Sequence, residues 1–176
     1  MIALSVGDIT KLGGTDFDSE AIVNAANNLL RAGSGVCGAI FNAAGSEKLQ
    51  QACDAIAPCP TGEARLTPAF NLESEGVKAI IHAVGPIFSK SSPDEADVLL
   101  RATYQSCVLC AREAGLTSIA FPAISTGIYG FPEDRAARVS VRALKEVDDD
   151  AFTINLIAFS ERSASYWRTA IDTEIL

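Results

Sequence analysis

The sequence predicts an α/β fold in which a mostly parallel sheet is covered by helices on both faces. Short apolar runs rich in Val, Ile and Phe, typical of buried strands, alternate along the chain with longer segments of helical periodicity. A helix between two strands allows those strands to lie parallel, and successive helices then cover the two faces of the sheet. The alternation therefore favours layers of helix, sheet and helix.

The individual elements follow from the same patterns and from the residues that punctuate them. Pro93-Asp94 and Pro132-Glu133 each place a proline and an acid in a first helical turn, which is typical of a helix start. The predicted strands are 2–6, 21–23, 77–84, 117–121 and 152–159, with an edge strand at 62–69. The predicted helices are 36–55, 94–114, 132–147 and 161–173.

Length and composition predict one domain that spans residues 1–176. The chain is 48% hydrophobic, which is enough to bury one sizeable core, and it contains no internal repeat or interdomain linker. No apolar run approaches the roughly 18 residues of a membrane span, and the first residues do not resemble a signal peptide. We therefore expect a cytoplasmic monomer with no membrane association.

The cysteines favour a reducing compartment. Five are scattered over the chain, an odd number that does not suggest a disulfide framework. Cys107 and Cys110 form a CxxC within a helical pattern, where this spacing places two small apolar groups on one face. A zinc or redox site is the alternative, but there is no second CxxC, and His82 is the only histidine. We expect no metal and no cofactor.

The charge balance limits the kinds of ligand that the chain can hold. Asp and Glu number 22 against 14 Lys and Arg, which gives a formal net charge of -8. Binding to a nucleic-acid backbone requires clustered basic residues and is not expected. A phosphate-bearing ligand would instead be held mainly by main-chain amides.

Two glycine-rich loops follow predicted strands and are candidates for such a site. In the segment GSGVCGAI (33–40) the glycines at 33, 35 and 38 allow close approach of the backbone to a ligand, and a helix begins there. In FPAISTGIYG (121–130), Ser125 and Thr126 supply hydroxyls before another helix start. Loops at the carboxyl ends of parallel strands share one edge of the sheet. Glycine content alone is equally compatible with turns that only connect strand to helix.

These segments, with others in the same order, resemble the macrodomain family and particularly its MacroD-like branch. The matching motifs are GDIT (7–10), NAAN (24–27), GSGVCGAI (33–40), AAG (43–45), CPTG (59–62), IHAVGP (81–86) and FPAISTGIYG (121–130). The resemblance extends from about residue 4 to residue 160. It implies a three-layer α/β/α fold with a mixed central sheet and an ADP-ribose cleft on its crest. The implied ligand is ADP-ribose or an ADP-ribosylated protein.

The resemblance also assigns roles to individual residues. Asp8, with the backbone of Ile9 beside it, is expected to bind adenine, and Phe159 is expected to stack on it. Asn27 is expected to face the distal ribose near the bond that hydrolytic members cleave, whereas Asn24 is expected to hold the loop by bonding backbone. The diphosphate and distal ribose are expected to contact Gly33, Ser34, Gly35, Val36, Cys37, Ser125, Thr126, Gly127, Ile128 and Tyr129. We interpret His82, within an apolar strand, as a core residue and not as a base.

One position departs from the family pattern. Where MacroD-like hydrolases typically carry an aspartate just before a loop glycine, this sequence has Cys37 before Gly38. Three interpretations remain open: Asn27, the loop backbone and the substrate phosphate position the water; Cys37 is a nucleophile; or the protein binds without turnover. We favour a hydrolase of ADP-ribosyl esters on acidic side chains or of O-acetyl-ADP-ribose, with Asn27 and Cys37 at the reaction centre. A non-catalytic ADP-ribose reader is the alternative.

Overall fold

The computed structural model describes residues 2–149 and 151–175 and confirms the predicted α/β architecture. Each predicted strand is present with its ends shifted by at most two residues. The strands are β1 (Ile2–Val6), β2 (Ala21–Ala25), β3 (Ala64–Pro68), β4 (Ala79–Ala83), β5 (Ser118–Phe121) and β6 (Thr153–Ala158), and they form one sheet in the order β1-β6-β5-β2-β4-β3.

The sheet is mixed because a single edge strand runs against the others. β1, β6, β5, β2 and β4 are mutually parallel, and β3 pairs with β4 in the antiparallel direction. The predicted edge strand at 62–69 therefore does lie at an edge. Consequently the loops that follow the five parallel strands, and the segment that precedes β3, all lie along one edge of the sheet.

Within residues 2–149 and 151–175, five α-helices cover the sheet, and they correct the sequence prediction at one point. The predicted helix 36–55 is two helices, because Gly45 adopts a φ of 97° that breaks the hydrogen-bond ladder between them. A side chain at Gly45 would also meet the Asn71 amide at 3.1 Å. The helices are α1 (Gly35–Ala44), α2 (Ser46–Ile56), α3 (Pro93–Glu113), α4 (Glu133–Lys145) and α5 (Glu161–Ile175).

Two apolar cores lie on opposite faces of the sheet. On one face α3, α4 and α5 bury side chains such as Leu100, Val141 and Trp167. On the other face α1 and α2 bury side chains such as Ile40 and Leu49. The result is the three-layer α/β/α arrangement. None of the helices in the described parts of the chain is both long and apolar enough to cross a bilayer.

His82 belongs to the second core and is fully buried. The Asn24 side-chain amide donates to its Nδ1 at 3.1 Å, so its Nε2 carries the proton and donates to the Thr67 hydroxyl at 2.9 Å. Cys53 Sγ lies 3.6 Å from the same Nε2. Burial lowers the pKa of His82 to about 4. The interpretation of His82 as a satisfied core residue is confirmed.

The neutral imidazole predicts a pH-dependent stability. The unfolded state takes up a proton at a pKa near 6.5, whereas the folded state does so only at about 4. Stability is therefore complete above about pH 6.5 and falls as the pH drops towards 4, by about 3 kcal/mol at most. Because the chain has one histidine, its imidazole NMR signals report this group alone.

Those signals should not titrate between pH 8 and 5 while the protein remains folded. Denaturant unfolding of wild type and His82→Gln at several pH values isolates the contribution of the imidazole from that of the carboxylates. A folded-state transition near pH 6.5 would contradict the assignment of a buried, neutral His82.

Candidate functional site

A cleft of about 240 Å³ lies at the sheet edge where the parallel strands end. It separates the loop that follows β2, which leads into α1, from the loop that follows β5. Most of the residues predicted from the sequence to contact the diphosphate and ribose line it: Asn27, Gly33, Ser34, Gly35, Val36, Cys37, Ser125, Gly127, Ile128 and Tyr129. The two glycine-rich loops therefore meet at one site.

Both sides of the cleft carry main-chain N–H groups without protein acceptors. The amides of Gly35, Val36 and Cys37 form the first turn of α1, where a helix has no internal acceptor for them. Across the cleft, the amides of residues 126–129 donate to no group in the described part of the chain. Main-chain dipoles arranged in this way bind anions. The cleft is therefore suited to a ligand with more than one phosphate oxygen.

Hydrogen bonds from neighbouring residues hold the loop after β5 in one conformation. Ser125 has a φ of 66°, and the Phe131 amide donates to its carbonyl at 2.9 Å. Buried Tyr104 of α3 accepts from the Ile124 amide at 3.2 Å and donates to the Pro122 carbonyl at 3.3 Å. A strained backbone persists only where its surroundings over-determine it. The conformation of this loop is thus set before any ligand binds.

The backbone at Gly85 passes very close to the loop after β5. A Cβ at this position would lie 2.2 Å from Ser125 Oγ and 2.6 Å from Ile124 Cγ2. Only glycine allows the chain that leaves β4 to pass so close to the loop after β5. Gly85 lines the cleft but was not predicted as a site residue, although its place in the IHAVGP motif was a usable signal.

The hydroxyls of the loop after β5 differ in their surroundings. Ser125 Oγ is buried and has no hydrogen-bond partner in the described structure, while Thr126 Oγ1 donates to the Ala123 carbonyl at 3.0 Å. The Thr126 side chain does not line the cleft and instead borders a small cavity beneath it. Ser125 therefore lines the cleft with a hydroxyl that has no partner among the described residues, whereas the Thr126 hydroxyl is bonded within the loop.

The two asparagines of the NAAN motif lie in different surroundings, and Asn24 departs from its expected role. Asn24 is buried and bonds the His82 side chain, not the loop backbone, and it does not line the cleft. Asn27 is the residue that holds the loop, because its Nδ2 donates to the Arg31 carbonyl at 2.9 Å and its Oδ1 accepts from the Arg31 amide at 3.1 Å. The structure thus places Asn24 below the site and Asn27 in its wall.

Cys37 lies in the same wall and is mostly buried. Its thiol donates to the Arg31 carbonyl over 3.9 Å, so Cys37 and Asn27 share one acceptor. The following residue, Gly38, must be a glycine because a Cβ there would stand 2.6 Å from the Gly33 carbonyl oxygen. The backbone at Gly33 and the backbone at Gly38 therefore pack against each other beside the thiol.

A separate pair of residues lies on the same edge of the sheet, at the end formed by β1 and β6. β1 and β6 are neighbours, and the Gly7 amide donates to the Ala158 carbonyl at 3.0 Å, which brings Asp8 and Phe159 side by side. Phe159 is 93% exposed, which is unusual for an aromatic residue that follows a buried strand. The Ile9 side chain is buried, so only its backbone is available beside Asp8.

Asp8 is held in a fixed orientation as an anion. Burial alone would raise its pKa, but hydrogen bonds from Thr10 and the charge of Lys11 outweigh that effect, and the pKa lies below its ordinary value. Its Oδ1 accepts from the Thr10 amide at 2.9 Å and from the Thr10 hydroxyl at 2.7 Å. Its Oδ2 accepts no bond from any described group and is therefore available to a ligand donor.

The described walls of the cleft contain no carboxylate and no imidazole side chain. No Asp, Glu or His is among the described residues that line the cleft, and the remaining lining positions are small or apolar, at Ala25, Ala26, Ala83, Ala123 and Ile124. Within residues 2–149 and 151–175, no group of three or more His, Cys, Asp and Glu is placed to hold a metal ion. All five cysteines are free.

The fold and site define an α/β domain with a preformed, amide-lined anion cleft on its crest, and comparisons with known proteins identify its family. A family model described as the macro domain matches residues 23–140. The chain belongs to the macrodomain family.

Relatives and solved structures agree with this assignment. A protein of Fusobacterium nucleatum is 49% identical over 89% of this chain and 85% of its own length. An O-acetyl-ADP-ribose deacetylase of Salmonella gallinarum is 47% identical over 80% of this chain and 75% of its own. An Oceanobacillus iheyensis macrodomain mutant solved with ADPR is 36% identical, with a TM-score of 0.86 over 98% of this chain and 92% of that one.

The contact at Gly85 predicts a clear stability effect. Gly85→Ala should lower the free energy of unfolding by about 1–3 kcal/mol, because the new methyl group overlaps Ser125 and Ile124 and the loop must shift. Gly7→Ala is the matched control, since a Cβ at Gly7 would meet no atom within 4 Å. Urea unfolding of both variants measures the difference. Equal stability of the two variants would show that the loop after β5 is not packed as tightly as described.

Proposed function

We propose that this chain binds ADP-ribose across the crest of its sheet, with adenine at the β1–β6 end and the diphosphate in the cleft. The observation that supports this most directly is that two sets of main-chain amides without protein acceptors face each other across the cleft. They supply the positive potential that a diphosphate needs in a chain of net charge -8. The distal ribose would then lie beyond the diphosphate, beside Asn27 and Cys37.

The adenine end supports the same orientation. The free Oδ2 of Asp8 can accept from the exocyclic amino group of adenine, and Oδ1 is already fixed by Thr10. The exposed Phe159 ring offers an apolar face for stacking on the base. A hydrogen bond and a stacked ring at one end, with a diphosphate site at the other, together select a nucleotide over a simple anion.

We further propose that the bound ligand is an ester of the distal ribose and that the chain hydrolyses it. Two substrates share this chemistry: O-acetyl-ADP-ribose and ADP-ribose attached to an acidic side chain of a protein. Water is added across the ester bond, which yields free ADP-ribose and a carboxylic acid. The deacetylase name of the Salmonella gallinarum relative supports this proposal.

The water must be activated without a side-chain carboxylate or imidazole, because the described cleft walls have neither. The phosphate oxygens of the substrate are the remaining anionic groups near the ribose, and they can accept the proton as the water attacks. Asn27 and Cys37 contribute by holding the loop at the Arg31 carbonyl, so that substrate and water are positioned by a rigid wall.

A second function, recognition of ADP-ribose without cleavage, is favoured by the same observation. A cleft without Asp, Glu or His is well suited to binding and poorly suited to proton transfer. Loss of a catalytic carboxylate usually reduces rate before it reduces affinity. The binding test below applies to both functions, and the turnover test separates them.

The binding proposal predicts a one-to-one complex with ADP-ribose that calorimetry detects. Asp8→Asn should weaken binding by about 1.5–3 kcal/mol, because it removes a charged hydrogen-bond acceptor for adenine. Phe159→Ala should also weaken it, by about 1 kcal/mol, through loss of stacking. Asp16→Asn is the control for surface charge, since Asp16 is exposed and lies outside the cleft.

No heat of binding at millimolar ADP-ribose would exclude the site altogether. An unchanged affinity in Asp8→Asn, or the same loss in Asp16→Asn, would remove Asp8 from the ligand contacts while leaving the diphosphate site in place.

The hydrolysis proposal predicts distinct effects of two substitutions at Cys37, one on affinity and one on turnover. Cys37→Ala should keep ADP-ribose affinity within about 1 kcal/mol, because the loop amides hold the diphosphate. Cys37→Asp should raise turnover of a glutamate-linked substrate, since a carboxylate can orient water near the ribose. Mass spectrometry of the released peptide, with EDTA present throughout, measures turnover. Cys110→Ala controls for the loss of a thiol elsewhere in the fold.

Two outcomes would replace this mechanism. If Cys37→Ala binds normally but has no activity, and a covalent adduct forms on Cys37 in the wild type, the thiol is a nucleophile. If both wild type and Cys37→Asp leave ester-linked substrates intact, the chain is a reader.

A further inference from the structure

A second depression of about 500 Å³ adjoins the cleft on the side of β4 and β3. Its walls are the segment 58–61 before β3, the segment 84–87 after β4, and the turn that holds Lys90 and Ser91. We call this depression the β3–β4 groove. Gly85 and Tyr129 line both the cleft and the groove, so the two spaces are continuous.

The groove lies where the substituent on the distal ribose must leave the cleft. Along the crest the strand ends follow the order β1, β6, β5, β2, β4, β3. With adenine at the β1–β6 end and the diphosphate between the loops after β5 and β2, the ribose end of the ligand faces β4. This step rests on the proposed function, and the groove is the next space along that line.

The walls of the groove are fixed by main-chain hydrogen bonds. The Cys59 amide donates to the Asn28 carbonyl at 2.8 Å, and the Gly62 amide donates to the Val84 carbonyl at 2.8 Å. On the far side the Phe88 amide donates to the Tyr129 carbonyl at 2.9 Å. These bonds join the segment before β3 to the loops after β2 and β4, and join the loop after β5 to the turn at Phe88. The groove is thus preformed and requires no rearrangement to accept a chain.

The size and chemistry of the groove suit a polypeptide. Its volume lies within the roughly 300–1,000 Å³ of ordinary binding pockets and far exceeds what a two-carbon acetyl group can fill. Pro58, Pro60 and Pro86 contribute apolar surface with little side-chain entropy to lose, beside polar positions such as Asn28 and Ser91.

The charge of the groove selects an acidic occupant. Although the chain has 22 acidic residues, none is among the described residues that line the groove or the cleft. Lys90 is exposed at the groove and forms no ion pair with any described carboxylate. A lysine without a partner in an otherwise acidic protein provides a local site for a negative side chain.

We propose that the β3–β4 groove binds the polypeptide that carries the ADP-ribose, with an acidic residue next to the modified one paired with Lys90. The groove then makes an ADP-ribosylated acidic peptide a better ligand than ADP-ribose alone, independently of whether the ester is cleaved.

Calorimetry with three ligands tests this: free ADP-ribose, ADP-ribose joined to a glutamate-rich peptide through a non-hydrolysable amide linkage, and the same conjugate with glutamine neighbours. The glutamate conjugate should bind the wild type about three- to tenfold more tightly than free ADP-ribose, as one added ion pair and apolar contacts allow. The glutamine conjugate should lose most of the ion-pair part of that gain.

Two variants should remove the gain while leaving the affinity for free ADP-ribose unchanged. Lys90→Glu replaces the attraction with a repulsion, and Thr61→Trp fills the groove from an exposed wall position. Lys48→Glu makes the same charge change on the exposed side of α2, outside the groove, and should leave all three affinities as in the wild type.

Equal binding of conjugate and free ADP-ribose to the wild type overturns the groove proposal and leaves the proposed function standing. The same follows if Lys48→Glu costs as much as Lys90→Glu, or if Thr61→Trp weakens free ADP-ribose as strongly as the conjugate. Failure of free ADP-ribose to bind the wild type overturns the proposed function itself, and the groove proposal with it.

Discussion

The parallel pairing of β2 with β4 on one side and β5 on the other is the constraint on which the site depends. Three adjacent strands end at the same edge of the sheet. Strand pairing alone therefore brings the loops that follow them close together. One loop leads directly into α1 and so contributes the unpaired amides of a helix start. The other contributes the amides of a turn. A chain of net charge -8 thereby creates a positive site from main-chain dipoles.

Convergence alone would leave the loops mobile, and close packing prevents this. Gly85 lies against Ser125 with no room for a methyl group, Ser125 is held at a positive φ, and Tyr104 bonds the loop backbone from below. The positive φ of Ser125 costs free energy in isolation, and it is maintained by the packing and hydrogen bonds around it. The benefit is a cleft whose amides are already oriented, so that little ordering is required when a ligand binds.

The sequence allowed most of the fold and part of the site to be predicted, for identifiable physical reasons. Strand positions were recovered because buried parallel strands are continuous apolar runs, and the edge strand because its pattern is more polar. The break at Gly45 was missed because an isolated glycine within a helical pattern is tolerated in many helices. Gly85 lies within the IHAVGP motif but is not predicted as a site residue, because only the packed structure reveals which backbone it approaches.

The roles of Asn24 and Asn27 illustrate what a sequence pattern cannot resolve. Both lie in one short motif at the end of β2, and alternation of side chains along a strand does not say where the strand stops. The strand continues to Ala25, so Asn24 is still inside the sheet and points to His82. Asn27 lies beyond it, in the loop, where its amide bonds the Arg31 backbone. The strand extends two residues beyond its predicted end, so the backbone bonding expected of Asn24 is made by Asn27, which also lines the cleft.

Cys37 is best understood through the acceptor that it shares with Asn27. The Arg31 carbonyl accepts from both the Asn27 amide and the Cys37 thiol, so the two residues assigned to the reaction centre are linked through one loop atom. An ionised carboxylate in place of the thiol has no proton to donate and would be repelled by that carbonyl oxygen. We therefore expect an aspartate here to turn away from Arg31 and towards the cleft, where it can meet water, whereas the thiol remains part of the wall. The thiol at position 37 thus stabilises the loop, and it leaves the anion site free of a competing negative charge.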